Sequence, residues 1–231
     1  MLSYERMSKP ESEESQSVPF REIILALLRA DVVTLFITLV LPHLPRLLRQ
    51  LTGSYEVLDY ETKLELLDAA GELARYTKHQ KVKFLQDNVI AFQDQAWGDG
   101  EIFVDYQCSP GFPVDHYRDG NKYRVLISLR ETKNRGDIET FHIERTIRNG
   151  FVRTIEDYQV DVDHNTRKLS LTVVFPKERI PKRVKVMEQK TQRSQDLSIE
   201  DLETLPDGRR QITWATEKPK LFQSYVLRWE W

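Results

Sequence analysis

Two short stretches carry the residue types that do chemistry. In Asp161-Val-Asp163-His164, with Asp157 four residues upstream, an extended backbone would point both Asp161 and Asp163 to one side. Two hard oxygen ligands then converge beside an imidazole, which is a metal-binding pattern. The same residues are ordinary turn formers, and the Asp-His-Asn-Thr run before Leu169 reads equally well as a reversal. In Cys108-Ser-Pro-Gly-Phe-Pro-Val-Asp115-His116 a thiol, a carboxylate and an imidazole lie close in sequence. A thiolate paired with histidine is a working nucleophile, and a carboxylate can orient the ring. Catalytic partners normally meet through the fold, however, and a half-buried thiol ending a strand explains Cys108 as simply.

Carboxylates cluster twice more, at Asp99, Glu101 and Asp105 and at Asp115 and Asp119. A glycosidase-like pair needs a defined separation across a cleft, whereas Asp99 and Asp119 each precede a glycine and are accounted for as turn residues. His142 and Glu144 alternate with Phe141 and Ile143, as a solvated strand face does. Glycines stand singly apart from Gly98 and Gly100, with no Lys-Ser/Thr pair opening a helix. Phosphate-cradling loops are therefore excluded. No residue is assigned a catalytic role, no metal site is assigned, and no cofactor is expected.

Basic residues offer a different chemistry. Over 177–193, Lys177, Arg179, Lys182, Arg183, Lys185, Lys190 and Arg193 face only Glu178 and Glu188, which makes Lys177, Arg179, Lys182, Arg183 and Lys185 candidates for binding an anionic surface or nucleic acid. Arg130, Lys133 and Arg135 crowd one loop, and Lys78, Lys81 and Lys83 one strand. Such charge also blunts exposed strand edges. Across 231 residues the formal net charge is only −2, against a dedicated nucleic-acid binder. The single cysteine excludes a disulfide framework and a multi-thiolate zinc site.

Any of these residues must be positioned by strands. Tyr123, Val125, Ile127 and Leu129 share one face; so do Leu169, Leu171, Val173 and Phe175, and again Tyr225, Leu227, Trp229 and Trp231. Period-two alternation of this kind marks half-buried antiparallel strands. Asp99-Gly100, Asp119-Gly120, Asn149-Gly150 and Asp207-Gly208 supply tight turns between them. About nine or ten strands are expected over 54–67, 73–86, 101–107, 122–131, 138–147, 151–162, 168–175, 182–190, 211–217 and 222–231. This predicts a mainly β chain folded as an antiparallel sandwich or flattened barrel over 54–231, with 54–88 able to form a separate hairpin layer. Leu64 to Glu72, rich in Leu, Glu and Ala, could instead be helical, and 196–205 a short helix or crossing loop. Trp97, Trp214, Trp229 and Trp231 belong between sheets.

Ahead of the strands, residues 1–19 form a polar tail too poor in apolar surface to order itself. Residues 20–41 read as one apolar helix capped by Ser17 and stopped by Pro42, followed to residue 50 by a basic-apolar connector. Arg29 and Asp31 lie near the middle of its apolar run, each costing about 2.5–3.5 kcal/mol in a bilayer. A docked helix with Ile24, Leu27, Leu28, Val32 and Leu35 as its buried stripe suits these charges better. No basic segment precedes the helix and no small-residue cleavage site follows it, so a cytoplasmic setting is expected, with membrane association as the helix's other use. The functional expectation is a non-catalytic protein–protein interaction module, self-associating or docking a partner or membrane surface through residues 20–50. A hydrolase built on the Cys/His or Asp/His set, and an anionic-surface binder built on 177–193, are the alternatives.

Overall fold

From Tyr55 onward each alternating run becomes a strand in a computed structural model, which describes residues 53–231. The polar tail and the apolar helix, with Ile24, Leu27, Leu28, Val32 and Leu35, lie outside the described residues. In chain order the strands are β1 (Tyr55–Leu66), β2 (Leu73–Phe84), β3 (Val89–Ala96), β4 (Glu101–Ser109), β5 (Phe112–Asp119), β6 (Lys122–Lys133) and β7 (Ile138–Arg148). They continue as β8 (Ile155–Asp161), β9 (Lys168–Phe175), β10 (Arg183–Glu188), β11 (Arg193–Leu197), β12 (Glu203–Thr204), β13 (Arg210–Glu217) and β14 (Ser224–Glu230). A seven-stranded sheet has the order β12-β13-β9-β1-β2-β7-β4, a four-stranded sheet β11-β10-β14-β8, and a three-stranded sheet β3-β6-β5.

The protein is thus mainly β, but in three sheets and with more strands than the nine or ten expected. One pair, β1 with β9, is parallel, which an all-antiparallel sandwich does not contain. Four strands escape the alternation argument. All eight residues of β5 are exposed, so no buried face imposes a pattern on it, and β11 and β12 are similarly exposed. In β3, Phe92, Asp94 and Ala96 point inward, and the central carboxylate breaks the apolar alternation. The helical option for Leu64 to Glu72 is not taken. Leu64–Leu66 complete β1, and Asp68 organises the turn: Oδ1 accepts from the Gly71 and Glu72 amides at 2.7 and 3.1 Å, and Oδ2 from Leu73 at 2.7 Å. Residue 71 must be glycine: φ is +78°, and a Cβ would sit 1.9 Å from the Phe151 carbonyl oxygen. Between β11 and β12 the chain makes one 3₁₀ turn, Ile199–Asp201, capped by the Ser198 hydroxyl.

Both smaller sheets cover the same face of the large one. That face of β2 carries Ala74, Tyr76, Lys78, Gln80, Val82 and Phe84, all buried. Tyr76 meets Tyr158 of β8 edge-on at 6.3 Å; Phe141 of β7 stacks on Phe92 of β3 at 3.8 Å. Behind β8, Phe175, Trp229 and Trp231 meet edge to face at 5.7–6.0 Å, filling the core as their alternation predicted. The opposite face of β2, with Arg75, His79 and Lys81, is open to solvent. Strands β8 and β3 are each the last strand of their sheet, and the seam between the two covering sheets runs along them.

Candidate functional site

The seam is a trench whose floor is polar. On the covered face of the large sheet, register sets Tyr60 opposite Gln80 and Thr62 opposite Lys78, with Tyr76 opposite Arg145. Lys78 reaches up to Asp94 of β3, Nζ to Oδ1 2.7 Å, with both side chains almost wholly buried. The Tyr106 hydroxyl donates to the other Asp94 oxygen at 3.0 Å. Burial alone would raise the Asp94 carboxyl, but the Lys78 ammonium, the Arg145 guanidinium and the two hydrogen bonds outweigh it and hold the group below the usual carboxylate range. Burial first, and the Asp94 charge second, push the Tyr106 phenol up, so it remains a donor.

Arg145 is unlike its neighbours. Only 5% of the residue is exposed, its guanidinium lies 4.3 Å from the Tyr76 ring centroid and 5.7 Å from that of Phe103, and its Nε and Nη1 have no hydrogen-bond partner. The trench opens on two sides, and Tyr60 and Gln95 border both openings. One cleft, of about 230 Å³, is bordered by Arg145, Tyr158, Trp97, Ile102 and Phe151. The other, of about 440 Å³, is bordered by Lys78, Gln80, Lys122, Asp161 and His164. Lys122 to Asp161 (2.6 Å) and Gln95 to Asp163 (2.7 Å) tie the covering sheets together across the seam.

Those ties decide what the Asp161-Asp163-His164 stretch does. Asp161 accepts from Lys122 and Gln159, Asp163 accepts from Gln95, and His164 packs on the Tyr55 ring at 4.2 Å. Burial holds His164 below its ordinary pKa. Asp157 binds Arg228 through both oxygens at 2.6 Å. Among the described residues no group of three or more His, Cys, Asp and Glu side chains is placed to hold a metal ion. Cys108 lies on β4 in register with Ile143, and burial, then the Asp94 charge, push its thiol up, away from the thiolate a nucleophile needs. Asp115 and His116 are exposed on β5. Asp99 pairs with Arg153 and Asp119 with Arg124, while Glu101 and Asp105 are exposed. His142 sits on the solvent face as expected, its Nδ1 3.2 Å from Nε2 of His79.

The basic run does not form one surface. Lys177, Lys182 and Arg183 are exposed. Arg179 turns inward, 4.1 Å from the Trp231 ring, and donates to the Ala69 carbonyl at 2.9 Å. Lys185 lies half-buried between Asp196 and Arg228 in register. Lys78, read from sequence as part of an exposed cluster with Lys81 and Lys83, is instead buried. Its position was legible, because Lys78 shares parity with Tyr76, Val82 and Phe84, as Arg145 does with Phe141, Ile143 and Ile147.

A further feature lies at the edge strand. Beside β5 a groove of about 550 Å³ runs between Phe103 and Tyr106 of β4 and Pro113, Val114 and His116 of β5. Phe112, Val114 and Tyr117 are 45%, 50% and 48% exposed.

No family model matches the chain, and no curated protein matches it. Among solved structures, the M1 zinc metallopeptidase of Deinococcus radiodurans overlaps at 8% identity with a TM-score of 0.46. A mutant of that enzyme bound to a Tyr-Ser-Ala substrate overlaps with a TM-score of 0.48, and a two-domain M1 zinc metallopeptidase mutant bound to L-tryptophan with 0.47, both also at 8% identity. Each overlap covers 75% of this chain and 42% of the other, so the chain spans less than half the length of these enzymes. The His-Glu-x-x-His zinc motif of metalloproteases does not occur in this sequence.

Proposed function

We propose that this chain is a non-catalytic protein–protein interaction module. The observation that supports the reading best is the β5 edge. Val114, half exposed, and His116 line a groove walled by Phe103 and Tyr106 on a strand with no buried residue, while Phe112 and Tyr117 lie on the other face of the strand, in register with Ser128 and Arg124. Aromatic and aliphatic side chains around a groove are the usual anchors of a protein interface. Pro113 and the register shift between Pro113 and Asp115 interrupt the edge, which disfavours a partner strand adding to the sheet. Docking is therefore through side chains, and the partner presents apolar groups to the groove. The apolar segment 20–50 is the second docking element in this reading, toward a partner or a membrane surface. The chemistry-bearing residues, by contrast, are engaged in separate structural contacts: Asp161 with Lys122, Asp163 with Gln95 and His164 against Tyr55.

The test is site-directed photo-crosslinking from His116, which lines the groove, of the full chain in its own host, in parent and Val114→Asp backgrounds. A discrete adduct that disappears in Val114→Asp, and persists in Lys81→Asp on the opposite sheet face, is expected. An adduct indifferent to Val114→Asp overturns the β5 surface. Hydrolytic turnover by the purified chain overturns the non-catalytic reading.

A further inference from the structure

Independently of the β5 surface, the 230 Å³ cleft at the seam has the make-up of a small-molecule site. Along the floor, Lys78 and Asp94 neutralise each other, and both Asp94 oxygens are occupied, one by Lys78 and one by Tyr106. Arg145 is left as a buried cation with no ion pair among the described residues and with Nε and Nη1 unpartnered. Contact with the Tyr76 and Phe103 rings offsets part of the cost of burying it, but leaves its in-plane N–H groups unanswered. A buried guanidinium in this condition is expensive unless an acceptor reaches it. Tyr158, also lining the cleft, repeats the pattern. Its hydroxyl is buried beside Thr62 and completes no hydrogen bond of acceptable geometry.

Around the cleft mouth the carboxylates are already engaged. Asp99 is held by Arg153 at 2.9 Å, Asp157 by Arg228, and Glu156 accepts from the Arg153 amide. Gln95 and Gln159 add neutral polar groups to the wall, and its apolar part is led by Trp97, Ile102 and Phe151. We infer that the cleft binds an apolar monocarboxylate, its carboxylate on Arg145 with Tyr158 beside it and its aromatic or branched body against Trp97, Ile102 and Phe151. The planar guanidinium suits a carboxylate fork. One unpaired guanidinium matches one negative charge rather than the two of phosphate, and the volume lies just below the usual range for ligand pockets, about 300–1,000 Å³. The acid is either a small free molecule or the C-terminal residue of a peptide.

Thermal unfolding and tryptophan fluorescence of the full chain test this with phenylacetate against its neutral isostere phenylacetamide, with inorganic phosphate, and with a short peptide ending in phenylalanine as free acid and as amide. Phenylacetate or the free-acid peptide at millimolar concentration should raise the melting temperature and change Trp97 emission, while the amides should not. The peptide pair distinguishes a chain terminus from a free acid. Arg145→Met keeps the stem against Tyr76 and removes the charge. It gives up the attraction to Asp94, so its own unliganded melt is the reference, and against that it should bind at least about tenfold more weakly; Tyr158→Phe should weaken binding by a smaller factor. Equal effects of acid and amide, a response to phosphate alone, no response to any carboxylate, or undiminished binding by Arg145→Met would each overturn the inference. If Arg145→Met does not fold, the acid-to-amide ratio on the parent chain decides alone.

Discussion

Lys78 and Asp94 illustrate how a single pair can be both a liability and a constraint. Each is buried on a face otherwise given to aromatic and aliphatic groups, so each depends on the other for compensation. Lys78→Met leaves the buried Asp94 carboxylate without its ion pair, held only by Tyr106 and the attraction of Arg145, and should cost about 3–5 kcal/mol in denaturant unfolding. Lys78→Met combined with Asp94→Leu should recover much of that loss. The pair also imposes a pH dependence. Because the folded-state pKa of Asp94 is lowered, its contribution is fully present above the unfolded carboxyl value of about 3.9. It is lost as the pH falls from there through the folded value. Urea titrations across the acid range should therefore show a shallower decline for the double variant than for the parent. These residues were readable in part. Parity along β2 and β7 places Lys78 and Arg145 inward, but the sequence does not reveal that Asp94, on a strand from another sheet, meets one and not the other.

At the scale of elements, turns were more legible than pairings. The Asp68 turn and its glycine carry a specific demand: Gly71→Ala combines a left-handed φ with a collision against the Phe151 carbonyl. The loss should exceed that for Gly120→Ala, where φ is +64° but a Cβ has nothing within 4 Å. The second variant should cost about 1–2 kcal/mol, the strain of a left-handed L-residue; the first should cost more, because backbone must move. Melting curves of the two check the difference. Alternation gave β6, β7, β9 and β14 nearly to the residue because one face of each is buried. It missed β5 for the opposite reason, since both faces of that strand are wet and nothing enforces period two. The division into two covering sheets was illegible, because strand order depends on long-range register rather than on any local pattern.

At the scale of the molecule, Gln50–Trp231 forms one compact unit, and a chain beginning at residue 51 should fold alone. Its far-ultraviolet circular dichroism should be dominated by strand, with a single cooperative melt, while docking that depends on residues 20–50 is lost; a spectrum of unfolded chain would show that the strands need the segment before them. The parallel pairing of β1 with β9 has a consequence for how this unit comes into being. The first strand among the described residues is a central strand of the large sheet, and its neighbour on one side arrives more than a hundred residues later, as the Thr62 hydroxyl bond to the Ser170 carbonyl marks. During synthesis, therefore, the β1–β2 hairpin emerges from the ribosome with the β1 edge unsatisfied and Leu64 and Leu66 uncovered. The edge waits until β9 appears, and the face until β14 completes the covering sheet. Nascent chains stalled before residue 168 should consequently be sticky and protease-sensitive, and chains released through β14 should not.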